Sequence, residues 1–404
     1  MRVAAASFSR CLILLVAFGA GSRLGARPPE PYFDGGLIRF DASINAQAAS
    51  LFYDTGASVT ALFAGGAERL KIGVESSGEL KLAGEKVSAG RSEEVDFRLM
   101  GSDVRTRFAI LPFGHRLDGV LGWRSVRTPL LIDGWEQRVR PLNKPPSDAG
   151  WQKWKIDPES SQLFFTLTDG GKPMGRVFVD TGVTAGLRLS PSLWKAWKSS
   201  HPENPITLET FRYPVGEVLV SEVAWVAEFR LGDLVFYHVD IGSIPSAKDG
   251  IAMDAGGKEF IATIGTGALR HVQLVVGAGA GEIWTRSVSG VPEHNRLGAV
   301  FVPVSGNDSR LACRVLPNTP ASESGLLEGD VLTGIEGVDE GDLAKASHNR
   351  LHQIFSQPAG TELKLRVDRA GSTVEVRVRL RDILNAGRLL GGQSVPGRAL
   401  PVRP

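Results

Sequence analysis

From about Asp34 to Arg140 the chain is a series of short apolar runs broken by turn residues, the pattern of a β-rich unit. Leu37–Ser43 and Ser50–Asp54 read as a hairpin. Gly78–Ser88 alternates apolar and polar positions around a glycine, as a hairpin lying over a cleft would. The stretch Arg140–Gly150 is rich in proline and polar residues and predicts a linker. Strand patterning resumes at Gln162–Thr168, turns at Asp169-Gly170-Gly171, and returns along Val177–Asp180. Ser190-Pro191 then opens a helix, with Ser as N-cap and Pro at the first helical position. Trp194 and Trp197 share one face of that helix and are assigned to the core. Beyond Pro292, Leu297–Pro303 reads as a strand. Leu351, Ile354 and Phe355 face inward from a helix, and Leu363–Leu380 forms a last hairpin.

Two of the apolar runs end in the same triplet. Leu51-Phe52-Tyr53 leads into Asp54-Thr55-Gly56, and Val177-Phe178-Val179 leads into Asp180-Thr181-Gly182. Each is a buried strand delivering a carboxylate to a tight turn. Downstream, aligning Gly122 with Gly265 sets Val126 on Leu269, Arg127 on Arg270, Leu131 on Leu274 and Gly134 on Gly277 without a gap. A duplicated unit explains both repeats.

A chain of 404 residues holds two or three domains. Its net charge of +2, with no basic cluster interleaved with aromatics, argues against nucleic acid as a partner. The start has a basic region, then the short apolar run Cys11–Gly21 ending in small residues. An export signal over 1–26 fits this pattern, with an uncleaved membrane anchor as the alternative. Removing the signal leaves Cys313 as the single thiol, which excludes an internal disulfide or a cysteine metal site. His348 and His352 stand four apart on a helix but lack a third ligand at a convincing position. They are assigned to an exposed polar face, and His271 to structure. There is no Gly-x-Ser-x-Gly elbow and no phosphate-binding glycine loop.

Two carboxylates sharing one proton can hydrolyse an amide with no metal or other cofactor. The ionised one takes a proton from water, and the protonated one donates to the carbonyl oxygen. Close like charges split their pKa values, so the pair titrates as a unit. A glycine after each Thr lets two such turns approach closely.

The triplets, each followed tens of residues later by an apolar stretch closed by Gly, resemble the retropepsin-like aspartic proteases. Ser322–Ile335, with Gly325, Gly329 and Asp330 at turns, resembles a PDZ domain. Together they resemble exported bacterial aspartyl proteases with two tandem lobes and a C-terminal PDZ domain. The resemblance implies a mainly β fold: two β-barrel lobes as an intrachain pseudo-dimer, then a PDZ-like α+β domain. The corresponding division is a signal peptide at 1–26, lobe 1 at 27–142, a linker at 143–150 and lobe 2 at 151–290. The PDZ-like domain takes 291–383, and a disordered tail 384–404. Asp54 and Asp180 would be the catalytic dyad, with Thr55 and Thr181 locking the turns and Gly56 and Gly182 admitting them. Val183, bulkier than Ala57 at the matching position, would shift the turn that presents Asp180. Leu297, Gly298, Ala299 and Val300 would capture a peptide carboxylate. The implied activity is an aspartic endopeptidase of the periplasm or cell envelope, acting on proteins or peptides and recruiting C-termini. A catalytically inactive peptide-binding scaffold of the same fold, and a dyad formed between two molecules, are the competing readings.

Overall fold

The computed structural model describes residues 30–82, 85–147, 150–212, 218–244, 252–254, 256–277, 281–288, 294–304, 307–338 and 348–384. The proposed signal peptide and the tail from 385 onward lie outside the described residues.

Strand alternation sets the core. Along Gln47–Asp54, Leu51 and Tyr53 are fully buried, while Phe52 and Asp54 turn to the other face. Along Lys172–Asp180, Val177 and Val179 are buried, while Phe178 and Asp180 take the opposite face. One apolar core runs through both regions, from Ile38 to Ile283. A separate core, including Phe301, Leu326, Leu351 and Leu365, fills the C-terminal unit.

Strand pairing repeats between the two regions. Gly119–Gly122 runs parallel to Gln47–Asp54 with Gly122 opposite Asp54, and Ala262–Gly265 runs parallel to Lys172–Asp180 with Gly265 opposite Asp180. Each glycine-ended strand is also antiparallel to a short strand, Ala61–Phe63 or Leu187–Leu189. Those short strands lie exactly the same number of residues beyond their triplets. The helix after the second, Pro191–Ser200, starts at Pro191 as its sequence requires, and Trp194 stacks on Trp197 inside it.

No sheet closes. The largest has fifteen strands, and its main path ends at Gln152–Lys155 on one side and Val74–Leu82 on the other. A seven-stranded sheet ends at Phe164–Asp169 and Ile206–Arg212. The expectation of two β-barrel lobes forming a pseudo-dimer is therefore corrected: the molecule is mainly β, with open sheets of mixed topology. The reason lies in long-range pairing. Leu130–Asp133 pairs with Val272–Val276, and Gln152–Lys155 with Glu282–Ser287. Strands from both repeats thus join one continuous sheet.

The C-terminal unit is an open, antiparallel five-stranded sheet running from Ala299–Val304 to Ser372–Arg379. Helices Pro320–Glu323 and His348–Phe355 accompany it. Among the described residues no helix is long and apolar enough to cross a membrane.

Candidate active site

The structure brings the two triplets together. The Thr55 amide donates to Thr181 Oγ1 at 3.0 Å, and the Thr181 amide donates to Thr55 Oγ1 at 3.0 Å. Each hydroxyl then donates across the junction, Thr55 Oγ1 to the Val179 carbonyl at 2.6 Å and Thr181 Oγ1 to the Tyr53 carbonyl at 2.8 Å. Both threonines are completely buried. Three polar groups on each side bond across to the opposite turn, in four hydrogen bonds, so the two loops hold one geometry.

Gly56 and Gly182 are needed for this closeness. A Cβ on Gly56 would fall 2.7 Å from an Asp180 carboxylate oxygen, and one on Gly182 would fall 2.7 Å from Asp54. Each glycine therefore backs onto the opposite aspartate. The turns match in detail: Gly56 N–H donates to Asp54 Oδ1 at 2.7 Å and Gly182 N–H to Asp180 Oδ1 at 3.0 Å. The Ala57 amide reaches the Asp54 carbonyl at 3.3 Å, and the Val183 amide reaches the Asp180 carbonyl at the same distance. The expected shift from Val183 does not occur, because Val183 stays half-buried and its carbonyl accepts from the Thr266 amide.

The electrostatics of the two carboxyls differ. Burial pushes Asp54 above its ordinary 3.8, opposed by hydrogen bonds from Gly56, Asp180, Ala57 and Gly182. Burial also pushes Asp180 well above 3.8; the Asp54 charge and the hydrogen bond to it act in the same direction. Asp54 has the richer set of N–H donors, which favours its ionised form. Of the two, Asp180 is held more strongly in its protonated form and Asp54 is the readier to ionise. Such an arrangement supplies a base and an acid side by side.

Apolar surfaces flank both carboxyls. Phe52, two residues before Asp54, stacks on Phe63, with Leu80 and Ala89 of the hairpin Val74–Leu82/Glu85–Ser92 in the same cluster. Phe178, two residues before Asp180, stacks on Phe164 beside Phe260.

Gln162 is a contributor that sequence reasoning missed. Its side-chain amide donates to the Gly56 carbonyl at 2.8 Å, while the next residue's amide donates to the Thr55 carbonyl. A lone glutamine in a turn has no spacing that marks it.

The four residues assigned to carboxylate capture lie elsewhere, on the C-terminal unit, and all are buried. The Leu297 and Gly298 amides donate to Asn295 Oδ1 at 2.9 and 3.3 Å. Asn295 is the second residue that sequence reasoning missed. Among the described residues no group of three or more His, Cys, Asp or Glu side chains could hold a metal ion.

The aspartyl protease family profile matches residues 40–124, so an aspartyl-protease-like domain occupies that stretch. The match contains Asp54-Thr55-Gly56 and the paired strand Gly119–Gly122. It covers neither the second triplet nor the C-terminal unit, and so gives no evidence of a second lobe or a PDZ domain. No curated protein matches the chain.

Proposed function

We propose that the chain is an aspartic endopeptidase in which Asp54 and Asp180 act as one site. The observation that supports this best is the reciprocal threonine bonding, which sets each glycine against the opposite carboxyl. In the reaction, a water between the carboxyls gives a proton to ionised Asp54 as its oxygen attacks the peptide carbonyl carbon. Protonated Asp180 gives its proton to the carbonyl oxygen. The tetrahedral diol then collapses: one hydroxyl returns its proton to Asp180 as the carbonyl re-forms, the amide nitrogen takes the proton held by Asp54, and the C–N bond breaks. No group besides the two carboxyls and water is required. The apolar surfaces beside Phe52 and Phe178 would seat substrate side chains, and the hairpin carrying Leu80 would cover them.

The test is cleavage of an unfolded protein, with and without a statine-type inhibitor of aspartic proteases. Inhibitor-sensitive cleavage that disappears in both Asp54→Asn and Asp180→Asn supports the reading. Mixing the two variants should not restore activity, since the carboxyls belong to one chain. A folded wild-type chain that binds peptides without cutting them would establish the inactive scaffold instead.

Two further parts of the proposal concern the ends of the chain. Export to the periplasm or cell envelope rests on the basic start and apolar run, and N-terminal sequencing of the envelope fraction tests it. Recruitment of substrate or partner C-termini by the C-terminal unit rests on the pattern from Leu297 to Ile335.

A further inference from the structure

The groove of the C-terminal unit, between its edge strand Ala299–Val304 and helix His348–Phe355, is already filled. Its occupant is Ile206–Arg212, the outermost strand of the seven-stranded sheet. Leu208, Glu209 and Thr210 line the remaining space together with Val300, Phe301, Leu351, His352 and Phe355. That space is only about 20 Å³, room for a single water. Leu208 is 7% exposed and packs with Val300 and Val302, with Val218 and Leu316 at the margin.

Polar contacts complete the seat. The Asn295 side-chain amide donates to the Leu208 carbonyl at 3.0 Å and to the Ala299 carbonyl at 2.7 Å, and Thr207 Oγ1 donates to the Asn295 carbonyl at 2.9 Å. Asn295 Oδ1 meanwhile takes the Leu297 and Gly298 amides, the donors that a peptide carboxylate would need. From behind, buried Arg188 binds both Glu209 and Asp240, fixing the strand's approach.

We infer that the strand Ile206–Arg212 is an internal latch: it occupies the peptide groove of the C-terminal unit, and Asn295 stands in for a peptide's terminal carboxylate. This inference rests on the reading of that unit as a peptide receptor. An incoming C-terminus with an apolar last residue must then displace Leu208 and free the loop amides. Apparent affinity is reduced by the fraction of molecules in which the latch is open.

The experiment uses the full chain in an Asp54→Asn background, so that the ligand is not cut. A fluorescein-labelled short peptide ending in valine, with a free carboxylate, is titrated into the parent, Leu208→Ala and Leu208→Asp. Hydrogen exchange of amides 297–302 is followed in parallel. The latch predicts weak binding and protected amides in the parent. It predicts binding at least about tenfold tighter in Leu208→Asp, an intermediate gain in Leu208→Ala, and faster exchange in the same order. An amidated peptide should gain less. Should Leu208→Asp fail to fold, Leu208→Ala carries the comparison. Equal, tight binding by parent and variants overturns the latch while leaving recruitment standing. Faster exchange without any peptide binding overturns both the latch and recruitment, and reduces the contact to a structural brace. Neither result touches the dyad, which the cleavage assay judges separately.

Discussion

The same hairpin occurs in two settings. In the first repeat, Val74–Leu82 pairs with Glu85–Ser92, which attaches to Ala109–Leu111. In the second, Ile206–Arg212 pairs with Val218–Leu231, which attaches to Leu234–Ser243. The outer strand of the first is an exposed sheet edge carrying Glu75 and Glu79, charges that discourage pairing with another chain. The outer strand of the second is covered by the C-terminal unit. Behind the hairpins the repeats also diverge: buried Leu62 in the first corresponds to buried Arg188 in the second. One topology thus presents a free edge, its hairpin packed beside Phe52, in one place and a docking surface in the other. A buried Arg held by two carboxylates adds little net stability but makes the position of Glu209's strand hard to alter.

The largest effect tests what the repeats share. Asp54→Asn and Asp180→Asn should each lower kcat by about 10²–10⁴ or more, the range general acid–base groups supply, with the fold intact by circular dichroism. If one variant kept most of its activity, the two carboxyls would not be a unit.

Next comes what they do not share. Arg188→Leu copies the first repeat's residue but leaves Glu209 and Asp240 without their common partner. A loss of about 3–5 kcal/mol in urea unfolding is expected. Little or no loss would mean that those carboxylates reach water and that the network does not hold the strand.

Between these lies the junction itself. Thr55→Ala and Thr181→Ala each strand a buried amide and a buried carbonyl of the opposite turn, so each should cost about 2–4 kcal/mol. Their equality matters more than their size. A difference beyond about 1 kcal/mol would show that one turn supports the other unequally.

The two carboxyls should also differ in their dependence on pH. The folded pKa of Asp180 lies above its ordinary 3.8, so the folded chain keeps a proton that the unfolded chain has already lost. The stability this provides is fully present below about 3.8 and is lost as pH rises through the folded value. Asn at 180 carries no such dependence. Asp180→Asn should therefore gain stability over the parent as pH rises above 3.8, with the gap closing as pH falls toward 3.8. A gap that stayed constant with pH would remove Asp180 as the proton carrier.

The triplets and the Gly122–Gly265 alignment were legible because they are local. Apolar runs, a carboxylate and a glycine at fixed spacing survive in any one stretch of sequence, and the parallel pairings of Asp54 with Gly122 and Asp180 with Gly265 follow the same alignment. The open, shared sheet was not legible, because the pairing of Leu130–Asp133 with Val272–Val276 depends on partners far apart in the chain. The filling of the groove was hidden for the same reason: nothing around Leu208 marks it as a ligand. Asn295 and Gln162 were missed because each is a single polar side chain whose role arises only from what folding sets beside it.

Gln162 gives the smallest effect and the finest test of the comparison. By strand register, in which Leu163 accepts from the Val179 amide as Ile38 faces Tyr53, it lies at the position of Leu37, so the first repeat has an apolar side chain where the second has a carboxamide. The Asp54 turn is thus held through the Gly56 carbonyl by a bond that Leu37 cannot offer the Asp180 turn. Gln162→Ala removes that single neutral hydrogen bond, worth about 0.5–1.5 kcal/mol, while the Leu163 amide still holds Thr55. Activity should fall about two- to tenfold, mainly in kcat, because the loss loosens Asp54 without touching the apolar surfaces that seat substrate. Gln162→Glu, which keeps the length but places a negative charge near the dyad, should lose more and shift the acid limb of the pH profile upward. If Gln162→Ala left both kcat and the pH profile unchanged, the Asp54 turn would be held by the threonine junction alone.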